Sequence, residues 1–177
     1  LFPRAHAVAY VMMAFRIAWF KVYHPLAFYA AYFSIRAKAF DLRIMTGDLK
    51  TQMTEFNRIK ALDRAASPKD KDLMSALEVS MEMYQRGYRF INVDIQHSEA
   101  RRFSIKDGAL LPPFLAIDSL GETVADAIVA EREERPFTSL KDLQRRCKVS
   151  NTIIDLMKEL KCCGELPEDE QMSLFGA

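Results

Sequence analysis

Between Ser67 and Gly87 the sequence marks both ends of one helix, and the rest of the chain must fold around it. Ser67 is a capping residue, Pro68 suits the first helical position, Asp70 stands three residues after the cap, and Gly87 can close the helix in a left-handed conformation. Leu73, Leu77, Met81 and Tyr84 supply its apolar stripe. Upstream, Leu49, Met53, Phe56, Ile59 and Leu62 keep one face through "DLKTQMTEFNRIKALDR". Together the two segments predict an antiparallel helical hairpin. After Gly87 the period falls from about 3.6 to about 2. "YRFINVDI" alternates apolar and polar residues, and "RRFSIKDGALLPP" places two short runs around Lys106-Asp107-Gly108, a hairpin turn signal. A small β element is expected there, too small to stand alone. The expected fold class is therefore mainly α with a small β element.

The N-terminal third reads differently. Val8, Met12, Phe15 and Trp19 recur at helical spacing over residues 6–23, and Pro25 opens a second helix in "PLAFYAAYFSIRA". Both helices are apolar around most of their circumference, so they should lie buried against a large partner that this chain need not contain. Arg16 interrupts the first apolar run short of the ~20 residues a membrane span needs, so no membrane partner is expected. Residues 1–64 carry ten Lys/Arg against four Asp/Glu, and residues 65–177 carry fifteen against twenty. The first third could face a polyanion, although a solvated surface is the commoner cause of such a bias.

Residues 113–163 return to short helices in two helix–turn–helix units. "FLAI" leads through "DSLGET" into "VADAIVAERE", and "SLKDLQRRC" leads through "KVSN" into "TIIDLMKELKCC". Helix starts carry unpaired N–H donors and a partial positive charge, so such turns can hold a phosphate. In the first, Leu120 and Gly121 lie in the turn, and Ala125 and Ile128 lie on the following helix. In the second, Ser150 or Asn151 caps the helix and Lys148 adds charge. An ordinary helical pair would read the same way for either unit alone. Arg132, Arg135, Lys141, Arg145, Arg146 and Lys148 supply positive charge, diluted by Glu133, Glu134 and Asp142.

No catalytic constellation is visible. Asp41 and Asp94 are isolated carboxylates, and His6, His24 and His97 lie far apart. Cys147, Cys162 and Cys163 lack zinc spacing, and an odd count without a leader fits a reducing, cytoplasmic setting. The chain ends in "PEDEQMSLFGA", which places Met172, Leu174 and Phe175 on an acidic tail. Either the tail folds back onto its own domain or those side chains enter a pocket on another protein.

Several of these stretches resemble known proteins. "AIDSLGETVADAIVAERE" resembles the helix-hairpin-helix motif, with Ser119 where that family usually has its first glycine. "LFPRAHAVAYVMMAFRIAWFKVYHPLAFYAAYFSIRA" is similar to the late fingers region of bacterial C-family replicative polymerases. "GYRFINVDIQHSEARRFSIKDGALLPPFLAIDSLGETVADAIVAERE" is similar to the duplex-binding region that follows it, and "QMSLF" resembles the sliding-clamp pentapeptide of replication proteins. The order of the parts resembles the C-terminal part of the PolC family of DNA polymerase III alpha subunits, and a chain starting at Leu1 without methionine fits a fragment.

That resemblance implies fingers helices at residues 1–37, a helical hairpin at 38–87, and a small β element at 88–112. A tandem helix-hairpin-helix region follows at 113–163, then an acidic spacer and flexible clamp-binding C-terminal peptide at 164–177. It implies nucleotide contacts from Phe2, Arg4 and His6, and duplex contacts from Ser119, Gly121, Thr123, Lys148, Ser150 and Asn151. It also implies clamp contacts from Gln171, Met172, Leu174 and Phe175. Primer-template DNA, the sliding clamp and the rest of the polymerase (palm and thumb) would be its partners. Mg²⁺ would be bound by palm aspartates of the whole enzyme, a DNA-directed DNA polymerase, and not by this chain, which alone should catalyse nothing. Burying Leu174 and Phe175 would contribute roughly 3–6 kcal/mol before ordering costs. The alternative reading is a stand-alone, non-catalytic DNA-binding adaptor built on tandem hairpins. A helical interaction protein without a nucleic-acid role is a third.

Overall fold

The computed structural model describes residues 3–169. Its helices are α1 (Arg4–Tyr23), α2 (Pro25–Ala31), α3 (Leu42–Met45), α4 (Leu49–Leu62), α5 (Pro68–Gln85), α6 (Glu122–Glu134), α7 (Leu140–Cys147) and α8 (Asn151–Glu159). The strands β1 (Ser104–Lys106) and β2 (Ala109–Leu111) form one antiparallel hairpin with Ile105 opposite Leu110. The protein is mainly α with a small two-stranded sheet, as its sequence leads one to expect.

The α4–α5 hairpin forms where the capping residues place it. Ser67 accepts from the Asp70 amide while the Asp70 carboxylate accepts from the Ser67 amide, a complete capping box. At the other end Tyr88 N–H donates to Met83 and Gly87 N–H to Tyr84, with Gly87 at φ 85°. These two bonds satisfy the last carbonyls of α5, and the left-handed residue between them is the one glycine makes cheap.

The packed face of α4 is not the predicted stripe, because Met53 and Leu62 are exposed while Gln52 is buried. A buried amide must have partners. Gln52 donates to the Met45 carbonyl at 3.1 Å and accepts from the Ser80 hydroxyl at 2.6 Å. The hairpin is thus stitched through a polar contact that apolar periodicity cannot reveal.

A second departure follows α2. Helical winding loosens into a π turn at Tyr32–Arg36, closed by Ala37 N–H to the Tyr32 carbonyl at 3.0 Å. The wider turn accompanies the inward placement of Phe33 against Phe40, Phe90 and Phe103, with ring centroids 4.9–6.1 Å apart. "YRFINVDI" does not form the expected strand either. Only Phe90 bridges the sheet, beside Leu110, and beyond it side chains replace the ladder. Asn92 donates to the Leu160 carbonyl at 2.5 Å, and Asp94 accepts from the Gln96 amide.

Two hydrophobic clusters meet at Phe40. One joins α2, the π turn, α4 and α5 around Tyr29, Met45, Ile59 and Leu77. The other joins α6, α7 and α8 around Phe114, Ile128, Leu143 and Met157. Helix α1 belongs to neither, and none of its residues is buried. Phe15 is 73% exposed and Trp19 49%. Between α1 and α2 runs a groove of about 820 Å³ bordered by Ile17, Phe20, Phe28, Tyr32 and Ile35. Arg16 does not cut this helix short. It runs for 20 residues and is long and apolar enough, by length and composition alone, to cross a membrane.

Candidate nucleic-acid interface

The two turns share one backbone design. In the first, Ser119 takes a left-handed φ of 63°, Leu120 is buried, and Gly121 is extended at φ −75° and ψ 157° as the N-cap of α6. In the second, Lys148 takes a left-handed φ of 55°, Val149 is buried, and Ser150 is extended at φ −71° and ψ 156° as the N-cap of α8. Gly121 O receives the amides of Val124 and Ala125, and Ser150 O receives those of Ile153 and Ile154. The second unit, degenerate in sequence, therefore repeats the first in conformation.

What both demand is a left-handed residue, an apolar plug and a small N-cap. Ser119, Gly121, Thr123, Lys148, Ser150 and Asn151 are all exposed. The first-turn amides of Glu122, Thr123, Asn151 and Thr152 precede any intrahelical acceptor and so point outward, free to meet an anion. A Cβ added at Gly121 would meet nothing within 4 Å, so the approach to the α6 start is open. In the second turn, Asn151 also accepts from Gln144 at 2.5 Å.

The first unit lacks a full leading helix. Only a 3₁₀ turn, Phe114–Ala116, precedes it, because Pro112 and Pro113 cannot continue a hydrogen-bonded helix. Ser119 also occupies the conformation that L-residues avoid. Replacing it should be informative: Ser119→Gly is expected to stabilise the fold by about 0.5–1 kcal/mol, relieved backbone strain outweighing added chain entropy. Thermal melting would register this as a Tm rise of a few degrees.

Most of the cations counted in the sequence are paired, and two of them are turned into the fold. Arg132 donates to the carbonyls of Ile95 and Ser98 and lies 5.8 Å from the centre of the Phe114 ring. Arg146 is largely buried 4.7 Å from the Phe137 ring centre and pairs with Glu131 and Asp142. Arg135 and Arg145 also pair with Asp142, and Lys141 pairs with Asp169. Lys148 remains exposed beside its turn. Arg101 reaches across the start of α6 to Glu122 at 2.5 Å and to Asp126, offsetting the acids nearest the first turn.

Asp142 is the residue that sequence reasoning misjudged most. It was counted as diluting charge, yet its side chain is fully buried. Arg145 donates to it at 2.7 Å, Arg146 at 3.2 Å and the Thr138 amide at 3.3 Å. Burial pushes its carboxyl up, but the hydrogen bonds from Arg145, Thr138 and Arg146 outweigh this and hold it below the usual range. The signal was present as Ser139-x-x-Asp142, the cap of α7, where Ser139 accepts the Asp142 amide.

The run from Glu165 was expected to be a solvated spacer. Up to Asp169 its acidic side chains are exposed, as expected, and its backbone docks on the second hairpin. The amides of Leu140 and Lys141 donate to the carbonyls of Pro167 and Glu168 at 2.9 and 3.2 Å. Lys158 pairs with Glu168 at 2.7 Å, and Leu166 packs on the core. The start of α7 offers amides without intrahelical acceptors, and the tail supplies the carbonyls that meet them.

Of the other predicted contacts, Arg4 and His6 fall within the described residues. Arg4 and His6 lie exposed in the first turn of α1, His6 edge-on to Tyr10 at 4.6 Å, and Phe2 lies outside the described residues. Gln171, Met172, Leu174 and Phe175 also lie outside them. Among the described residues no three His, Cys, Asp or Glu side chains cluster as metal ligands. Burial pushes the thiols of Cys147 and Cys162 up to about 11 and about 12, so both are unreactive packing residues.

These turns have the form of a helix-hairpin-helix protein, and the helix-hairpin-helix motif family matches residues 87–171. Over 99% of its length the chain is 47% identical to the PolC-type DNA polymerase III of Caldanaerobacter subterraneus subsp. tengcongensis and 48% identical to that of Streptococcus suis. It is 46% identical to that of Streptococcus pyogenes serotype M12. The chain is thus a homologue of PolC-type DNA polymerase III, and it spans about 12% of the length of these relatives.

Proposed function

We propose that this chain serves DNA-templated DNA synthesis as part of a bacterial replicative polymerase, holding duplex DNA by its two helix-start turns. The observation that carries the proposal is the repeated backbone design of Ser119–Gly121 and Lys148–Ser150, both open to solvent. Two such turns grip phosphates without reading bases, which suits an enzyme that must copy any sequence. Thr123 and Asn151 stand on the first helical turns beside them, where their side chains can join the same phosphates.

Arg4 and His6, with Phe2, form part of the nucleotide pocket, where cations offset triphosphate charge. Mg²⁺ belongs to carboxylates outside this chain, and without them the chain has no polymerase activity. Helix α1 and its groove are covered by the remainder of the polymerase. A stand-alone adaptor would leave that apolar surface bare, which disfavours the runner-up reading. The setting is the bacterial cytoplasm, where replication takes place.

Gln171, Met172, Leu174 and Phe175 engage the sliding clamp, with Gln171 as polar anchor and the apolar side chains in a pocket on the ring. Such a contact is individually weak, and linkage to DNA contacts multiplies it. Deleting residues 171–177 should abolish clamp binding in a surface-plasmon assay and leave duplex affinity unchanged. Clamp binding that survives the deletion would remove the assigned peptide from the account.

A further inference from the structure

Helix α1 is held at one end only. Its last turn is clasped to α5 by a polar node of four side chains: Lys21, Tyr29, Glu82 and Arg86. Tyr29 is fully buried, and its hydroxyl donates to Glu82 at 2.7 Å while accepting from Arg86 at 3.1 Å. Lys21 pairs with the same carboxylate at 2.8 Å, and Arg86 donates to the Lys21 carbonyl at 3.0 Å. The Lys21 ammonium also stands 5.2 Å from the centre of the Phe28 ring. Glu82 therefore receives Lys21, Tyr29 and Arg86, one from α1, one from α2 and one from the residue that caps the end of α5.

Next to this node the helix is broken. His24, at φ −134° and ψ 57°, separates α1 from Pro25 at the start of α2. Every residue of α1 before Lys21 is exposed in this chain, so the contacts near its C-terminal end, the node together with the turn into α2, set the angle at which α1 projects. At a rise of 1.5 Å per residue, Arg4 lies about 26 Å from Lys21, and a swing of about 10° would carry it through about 4–5 Å.

The geometry points to Glu82, with Tyr29 and Arg86, as positioning residues: a fulcrum that sets where the Arg4 end of α1 stands relative to the body carrying the two turns. This rests on the proposed nucleotide role of Arg4. The node lies at the far end of α1 from Arg4, so its effect should act through the position of that end and fall on nucleotide use rather than on duplex binding. A displacement of several ångströms is large beside the tolerance of a reacting geometry.

Two measurements test it. Spin labels at Ala14→Cys and Ser75→Cys, on exposed faces of α1 and α5, report the α1 angle in this chain. A full-length PolC-type polymerase carrying this segment reports steady-state nucleotide incorporation. With Glu82→Gln the label distance distribution should broaden, and KM for the incoming nucleotide should rise about 5–10-fold with duplex Kd unchanged. Tyr29→Phe, which removes one hydroxyl and keeps the ring, should shift both readouts in the same direction by less. An unchanged distribution overturns the proposal, and so does a broadened one with normal KM. Arg4→Ala in the same assay separates the two layers. A normal KM there removes the nucleotide-pocket reading itself, whereas a normal Glu82→Gln beside an impaired Arg4→Ala removes the fulcrum alone.

Discussion

Asp142→Ala should destabilise the protein by about 3 kcal/mol, the low end for removing one partner of a buried ion pair. Two of its arginines, Arg135 and Arg145, have side chains 60% and 68% exposed and can turn to water. Arg146, only 11% exposed, cannot. Its guanidinium would keep Glu131 and the Phe137 ring but lose the carboxylate that completes its shell. Thr138 N–H would lose its acceptor as well. Against a total stability of about 5–15 kcal/mol, the shift in a urea midpoint would be large.

The same carboxylate gives an acid-side signature. Its folded pKa lies below its unfolded one, so the native state binds fewer protons. Its stabilising share is complete above the unfolded pKa of about 3.9 and falls away as pH drops through the folded value. Asp142→Asn should therefore flatten the decline of stability below about pH 4. A decline identical to that of the parent would show that other carboxylates govern it.

The second large effect falls on DNA. Gly121→Glu together with Ser150→Glu should weaken duplex binding at low salt by about 100-fold. That follows from losing two charge-assisted phosphate contacts worth about 1.5 kcal/mol or more each. The backbone at both positions is ordinary extended chain, and the space at Gly121 is empty, so the fold should survive. Carboxylates near helix starts also complement the macrodipole. A melting curve close to the parent's beside a collapsed affinity would separate phosphate contact from unfolding. Unchanged affinity would place the duplex elsewhere on the molecule.

Much of this architecture is written locally. The capping box at Ser67 and Asp70, the left-handed end at Gly87 and the Asp107-Gly108 turn are short-range chemistry, legible because each residue type forces its own conformation. The two turns could be placed for the same reason, from Leu120 and Gly121 in the first and the Ser150 or Asn151 cap in the second, whereas Val149 as a plug matching Leu120 emerged only from the fold. What stayed hidden depends on residues far apart in the chain. Gln52 is buried because Met45 and Ser80 meet it, and Asp142 because three arginines converge there. Pro167 and Glu168 dock because α7 starts with unused amides. Composition counted the arginines as a basic surface, whereas packing spends Arg132 and Arg146 on carbonyls and rings.

The site was therefore legible as a pair of turns but not as an electrostatic surface. With most cations committed, the proposed grip depends on backbone donors, helped by Lys148. Amide NMR during titration with a short duplex reads those donors directly. The account predicts that the amides of Glu122, Thr123, Asn151 and Thr152 shift together at low salt and return toward their free positions as salt rises. Shifts confined to other surfaces, with these four amides unmoved at saturating duplex, would contradict it.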